Sequence, residues 1–198
     1  MAFLLTSLFI LNVELAPNPA LALGWYDGFQ LCRAMKSAVQ EEVAQIFAGI
    51  GVRVHWEDEP GARPTNGAET PVNVVLVRQH PSTWGLKPST LGVVIGRRDP
   101  RTAYAFVSRA FRVVGHMAEK PNNCPGPKAR HQVSRALGRV IAHEIFHTIA
   151  PDHPHAEDGL MHGHMDRNRL LARLIGLDAE CSKAFLLALQ QLRHPSLS

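Results

Sequence analysis

Cysteine is scarce in this chain: three residues in 198, Cys32, Cys124 and Cys181, with no C-x-x-C spacing among them. That absence removes a cysteine-built metal site, and no local signature supports a cysteine nucleophile. An odd count allows one disulfide and one free thiol, but spacing does not say which two residues pair. Tyrosine is rarer still, with Tyr26 and Tyr104 alone. Neither sign of charge dominates: 21 Lys and Arg against 17 Asp and Glu leave a net charge of +4. The densest basic cluster is Arg97, Arg98 and Arg101, and no aromatic residues are interleaved to stack on bases. It reads as a solvated loop, and nucleic acid is not an expected partner. Beyond Val13 no apolar run approaches the roughly 20 residues that cross a bilayer, so no stable membrane span is expected. Nothing here fixes an oligomeric state.

What is present describes an ordinary globular chain. Hydrophobic residues make up 45% and charged residues 19%, in a length that suits one domain with a sizeable core. Ala2 to Val13 is nearly all apolar, and Ala20-Leu21-Ala22 fits a small-x-small cleavage site. This is the pattern of a signal peptide over residues 1–22, leaving 23–198 as a single catalytic domain in a secreted or periplasmic protein. No lysine or arginine precedes Arg33, so the charged n-region is missing. The competing reading is an apolar strand or helix that stays in the mature chain.

Histidine, by contrast, is plentiful, with 11 residues. The run His143-Glu144-Ile145-Phe146-His147 is followed by His153, His155 and then Gly159-Leu160-Met161. On a helix, residues four apart share a face, with Cβ atoms roughly 5–6 Å apart. Two imidazoles can therefore reach one metal ion, with Glu144 toward the same side. Zinc favours neutral imidazole nitrogen, and a catalytic zinc keeps a fourth position for water. A carboxylate beside that water can act as its general base. Helical spacing of Val133, Leu137, Val140, Ile141, Ile145 and Thr148 supports a buried helix here. Gly126-Pro127 offers its start, and Pro151 its end.

Leu137 to Met161 resembles the metzincin zinc peptidases, whose signature is H-E-x-x-H-x-x-G-x-x-H followed by a methionine turn. His143, Glu144, His147 and His153 fall on that pattern, and Met161 stands where the turn methionine would be. Ala150 occupies the position of the family's glycine. It precedes Pro151, which pushes it toward extended conformations and widens the turn. A wider turn favours His155 over His153 as third ligand. The segment Pro154 to Met161 also looks like a group of bacterial metzincin-like proteins with a histidine shortly before a G-[LI]-M turn. The resemblance implies Zn2+ as cofactor, a peptide or protein substrate, and Met161 as the packing floor beneath the metal. Glu157 and Glu180 would be rival ligands in a gluzincin-type arrangement. His162 and His164 read as surface residues. No tyrosine follows the methionine to serve as an oxyanion donor.

The remaining pattern gives an order of elements. A helix is expected over Tyr26 to Ala48. Strands follow at Val52 to Trp56, Val72 to Val77, Gly92 to Ile95, Tyr104 to Val107 and Phe111 to Val114. The metal helix comes next, and then helices at Arg167 to Ile175 and Ala179 to Leu192. The expected fold is α+β and zincin-like: an N-terminal helix, a mixed twisted sheet of four or five strands, the active-site helix, a methionine turn and C-terminal helices. A strand within Tyr104 to Val114 would be placed to pair with an extended peptide. The competing functional reading is a non-catalytic exported zinc binder, with His162 or His164 closing a four-ligand structural site. A nuclease of the H-x-x-x-H type is disfavoured by Glu144.

Overall fold

The computed structural model describes residues 18–57, 69–95, 101–117 and 123–193. Arg97 and Arg98, most of the loop expected between Glu57 and Pro71, and the first 17 residues lie outside them. Five strands, β1 (Ala20–Asp27), β2 (Arg53–Glu57), β3 (Glu69–Val77), β4 (Gly92–Val94) and β5 (Thr102–Phe106), form one sheet in the order β2-β1-β3-β5-β4. The β1–β2, β1–β3 and β3–β5 pairs are parallel, and β4 runs antiparallel to β5 at one edge. Five helices complete the fold: α1 (Arg33–Ala48), α2 (Val107–Val113), α3 (Pro127–Ile149), α4 (Arg167–Leu171) and α5 (Ala179–Arg193).

The first described element is therefore a strand, and it includes Tyr26, where the sequence reading expected a helix to start. Ala20 pairs with Arg53 on one side and Glu69 on the other, and Leu21 and Leu23 are fully buried. A parallel strand covered on both faces reads as a continuous apolar run, which is also how the core of a leader reads. The carboxylate of Asp27 ends β1. It accepts from the N–H groups of Phe29, Gln30 and Leu31 at 3.1, 2.7 and 2.7 Å and turns the chain into α1. That helix buries Met35, Val39, Val43, Ile46 and Phe47, a spacing of three and four that makes one apolar stripe.

The second correction concerns Phe111 to Val114, expected as a strand. These residues belong to α2 and its C-terminal turn, where Val107, Ala110, Phe111 and Val114 are buried. Strand β5 is also flanked on both sides, by β3 and β4. Among the described residues the edge strand on that side is β4, so a peptide-pairing strand within Tyr104 to Val114 is excluded. Helix α4 ends at Leu171, short of the expected Ile175, because Ala172 adopts φ −50°, ψ 147°.

Helix α3 crosses the centre of the molecule, packed against α1 and against β4 and β5. Its buried Arg139 donates to Glu42 of α1 at 2.8 Å and to the carbonyls of Arg169 and Leu170 at 3.0 Å each. One guanidinium thus fixes α3 to α1 and α4 with its donors paired, the condition under which a buried charge is tolerated. Phe146 of α3 stacks on Phe185 of α5 at 5.6 Å, and Phe185 on Phe47 of α1 at 5.1 Å. Cys32, just ahead of α1, forms a disulfide with Cys124, just ahead of α3, leaving Cys181 as a buried free thiol. Among the described residues no helix is long and apolar enough to cross a membrane.

Candidate metal centre

Pro127 occupies the first turn of α3 with Gly126 as its N-cap, where a missing N–H costs nothing. At the other end Ala150, forced out of helical space by Pro151, adopts φ −122°, ψ 66°. The last turns of α3 carry His143, Glu144 and His147. His143 and Glu144 are each 8% exposed, and His147 is half-buried. The chain leaves the helix, passes His153 and His155, and folds back at Gly159, whose φ of 75° suits glycine. The N–H of Leu160 donates to Gly176 and that of Ala156 to Met161, both at 2.9 Å, closing the turn. Met161 is buried in the core at 1% exposure.

Three imidazoles converge. Nε2 of His147 lies 3.2 Å from Nε2 of His143 and 3.2 Å from Nε2 of His155. Candidate ligand atoms of the three residues all fall within 4.8 Å of one another. Tetrahedral Zn–N bonds of about 2.0–2.1 Å place two nitrogens roughly 3.3–3.4 Å apart, close to the two separations of 3.2 Å. Nδ1 of His143 is 2.8 Å from the carbonyl oxygen of Leu160. A carbonyl only accepts, so Nδ1 carries the proton and Nε2 presents its lone pair to the cluster. Histidines that bind metals are commonly oriented by an outer hydrogen bond of this kind.

The electrostatics agree with a neutral donor set. Burial holds the His143 imidazole down at about 4, against the opposing pull of the Leu160 carbonyl. Burial, and then the neighbouring histidines, hold His147 at about 3. Lone pairs facing one another repel, and a cation between them relieves the repulsion.

Glu144 points into the same cleft. Burial pushes its carboxyl up to about 8, because nothing charged compensates for the lost water. Its seat depends on Gly92 of β4. A Cβ there would fall 2.6 Å from Cγ of Glu144 and 2.7 Å from the carbonyl oxygen of Tyr104. The edge strand can approach the acid this closely because it has no side chain at that position. The cleft, about 900 Å³, runs between β4 and the segment Gly163 to Arg167, with His143, Glu144, His147 and His155 on its floor. Arg109 pins the loop entering β4 by donating to the carbonyls of Lys87 and Thr90, both at 2.8 Å.

His153 is not part of the cluster. Its Nε2 sits 3.4 Å from Sγ of Cys181. His162 and His164 are also outside it. Nδ1 of His162 lies 2.8 Å from the carbonyl oxygen of His164, and His164 is an exposed residue lining the cleft. Glu157 and Glu180 are exposed, and among the described residues no acidic side chain joins the trio. Two contributors escaped the sequence reading. The Leu160 carbonyl was within reach, since the G-L-M turn was recognised; Gly92 left no local signal.

These three titrating groups predict how the metal-free protein responds to pH. His143 and His147 have folded values below the ordinary 6.5, so acidification from there toward 4 protonates the unfolded chain first and stability falls. Glu144 has a folded value above its ordinary 4.5, so raising the pH toward 8 ionises the unfolded chain first and stability falls again. Thermal unfolding of chelator-treated protein should give a maximum contribution near pH 6.5 from these groups. The Glu144→Gln chain should lose the decline between pH 6.5 and 8; an unchanged decline would assign it to other groups.

No protein-family model matches the chain, and no curated protein matches it. Among solved structures, archaemetzincin from Methanopyrus kandleri is similar, with a TM-score of 0.53 and 14% identity. The match covers 87% of this chain and 96% of that one. At this identity the likeness is one of fold: a mostly parallel five-stranded sheet with several helices, in which a histidine trio could hold a metal ion.

Proposed function

We propose that this chain is a zinc-dependent metallopeptidase, with His143, His147 and His155 as metal ligands and Glu144 as general base. The observation that carries the reading is the convergence of three imidazoles, two N···N separations of 3.2 Å among them, beside a buried carboxylate in a cleft bordered by a sheet edge unpaired among the described residues. The donor set would be that of a catalytic rather than a structural site: three protein ligands, all lining the cleft. A non-catalytic zinc binder would need a fourth protein ligand, and neither His162 nor His164 joins the trio. Met161 would serve as the floor beneath the metal, held by the turn that also presents the Leu160 carbonyl.

Zinc, when bound, polarises a scissile carbonyl and acidifies a water toward a pKa of about 7. Opposite charge nearby favours the ionised carboxylate, so Glu144 is restored to its basic form in the loaded site. Glu144 then takes the proton from the attacking water and passes it to the leaving nitrogen. His143 is kept in register by Leu160. An extended peptide would lie along β4 and pair with its unpartnered edge, which passes directly over Glu144 at Gly92.

Export from the cytoplasm accords with the Cys32–Cys124 disulfide. A cut after Ala22 would take Ala20, Leu21 and Ala22 out of two ladders at once. The folded domain would therefore retain those residues. The test is hydrolysis of an unstructured protein such as casein by the purified chain. Cleavage should vanish on removal of metal by 1,10-phenanthroline and return on stoichiometric zinc. Cleavage that survives complete metal removal overturns the proposal.

A further inference from the structure

We infer that Cys181 and His153 form a latch that positions the third imidazole, an inference resting on the metal reading above. His155 is exposed and sits on an irregular segment that leaves α3 through Pro151 and Pro154. Nothing in regular secondary structure holds that segment. Its backbone is tied at two points, His153 N–H to the Ala150 carbonyl at 3.2 Å and Ala156 N–H to that of Met161 at 2.9 Å. The side-chain anchor between them is His153.

The His153 ring lies 5.5 Å from that of Phe146, and its Nε2 is 3.4 Å from the Cys181 sulfur. Both partners are rigidly placed. Phe146 is fully buried in α3 one residue before His147, and it stacks on Phe185 of α5. Cys181 is 1% exposed on that same helix, where its N–H donates to the Asp178 carboxylate at 2.7 Å. Burial, and then a side-chain hydrogen bond with Asp178, push the thiol up to about 11, and its sulfur lies within hydrogen-bonding distance of Nε2 of His153. The latch thus joins α3, α5 and the ligand loop at a point two residues from His155. A loop free to sample other arrangements binds metal only in the fraction of time it is competent, and apparent affinity falls by that fraction. Outer residues that orient ligands are worth roughly 10–100-fold in metal affinity.

The experiment compares the wild-type chain with Cys181→Ala, Cys181→Ser, His153→Phe and the double variant Cys181→Ala/His153→Phe. Zinc dissociation constants are measured by chelator competition, and coordination by the visible spectrum of the cobalt-loaded proteins. His153→Phe keeps a ring against Phe146 but removes the ring nitrogen; Cys181→Ser keeps a group that can donate or accept a hydrogen bond. Each of Cys181→Ala and His153→Phe should weaken zinc roughly 10–100-fold with an altered cobalt spectrum. Cys181→Ser should recover most of the loss, and the double variant should be little worse than either single one. Single variants that bind as tightly as wild type overturn the latch, as do additive losses or failure of serine to rescue. If Cys181→Ala does not fold, His153→Phe alone decides. A wild-type chain that binds neither zinc nor cobalt removes the metallopeptidase reading itself, which separates that failure from loss of the latch.

Discussion

Glu144→Gln is expected to leave the chain folded and zinc-loaded while lowering kcat/KM for peptide cleavage by roughly 10²–10⁴-fold, the usual worth of a positioned general base. Glutamine has nearly the shape of the acid, so the close passage of Gly92 over Cγ is undisturbed. It cannot accept a proton at neutral pH, and the attacking water loses its base. The three imidazoles do not touch this carboxylate through any hydrogen bond, and the outer bond from His143 to Leu160 is independent of it. Zinc content by metal analysis should therefore match wild type. The substitution also removes a carboxyl whose burial is costly when ionised, so the metal-free variant should be no less stable. Retained cleavage at the wild-type rate would strike Glu144 from the mechanism and assign the base to another group.

The second large effect concerns the third ligand. His155→Ala should reduce zinc affinity by well over the roughly 100-fold ceiling for outer residues, because it deletes a donor atom and not its support. His153→Ala should leave a measurable site, weakened but present. The geometry behind the ordering is direct: Nε2 of His155 is 3.2 Å from that of His147, whereas Nε2 of His153 faces a sulfur. Zinc stoichiometry on both variants at micromolar metal reads the difference. Full occupancy in His155→Ala with none in His153→Ala would reverse the assignment and restore the shorter metzincin spacing.

Much of the site is legible along the chain because its chemistry is local. His143, Glu144 and His147 sit within five residues, and helix geometry alone brings the two imidazoles together. The bounds of α3 follow from Gly126-Pro127 and Pro151, whose steric rules act between neighbours. The same pre-proline effect at Ala150 gives a local reason to look beyond His153. What escapes is non-local. Gly92 serves Glu144 from far away in the sequence, and only the sheet order shows that β4 lies over α3. The Cys32–Cys124 pair closes a separation of 92 residues, which no spacing rule predicts.

Two elements were misread for opposite reasons. Strand β1 is apolar on both faces because it is central, so its pattern carries no alternation to separate Tyr26 and Asp27 from the start of a helix. Helix α2 did carry a signal: Val107, Ala110, Phe111 and Val114 recur at three and four residues. Its seven residues follow β5 without a break, and such short apolar runs leave period two and period 3.6 hard to tell apart.

The covalent bond between Cys32 and Cys124 bears on how the molecule comes to be made. Closing so long a loop removes freedom from the unfolded chain worth about 4–5 kcal/mol in the chain-entropy picture. It also joins the beginnings of the two helices that Arg139 and Glu42 bring together further along. A nascent chain kept reduced would have to align α1 and α3 by packing alone before the far end of α3 could receive an ion. If the trio holds an ion as proposed, a chain lacking this bond should accept it more slowly than the oxidised one.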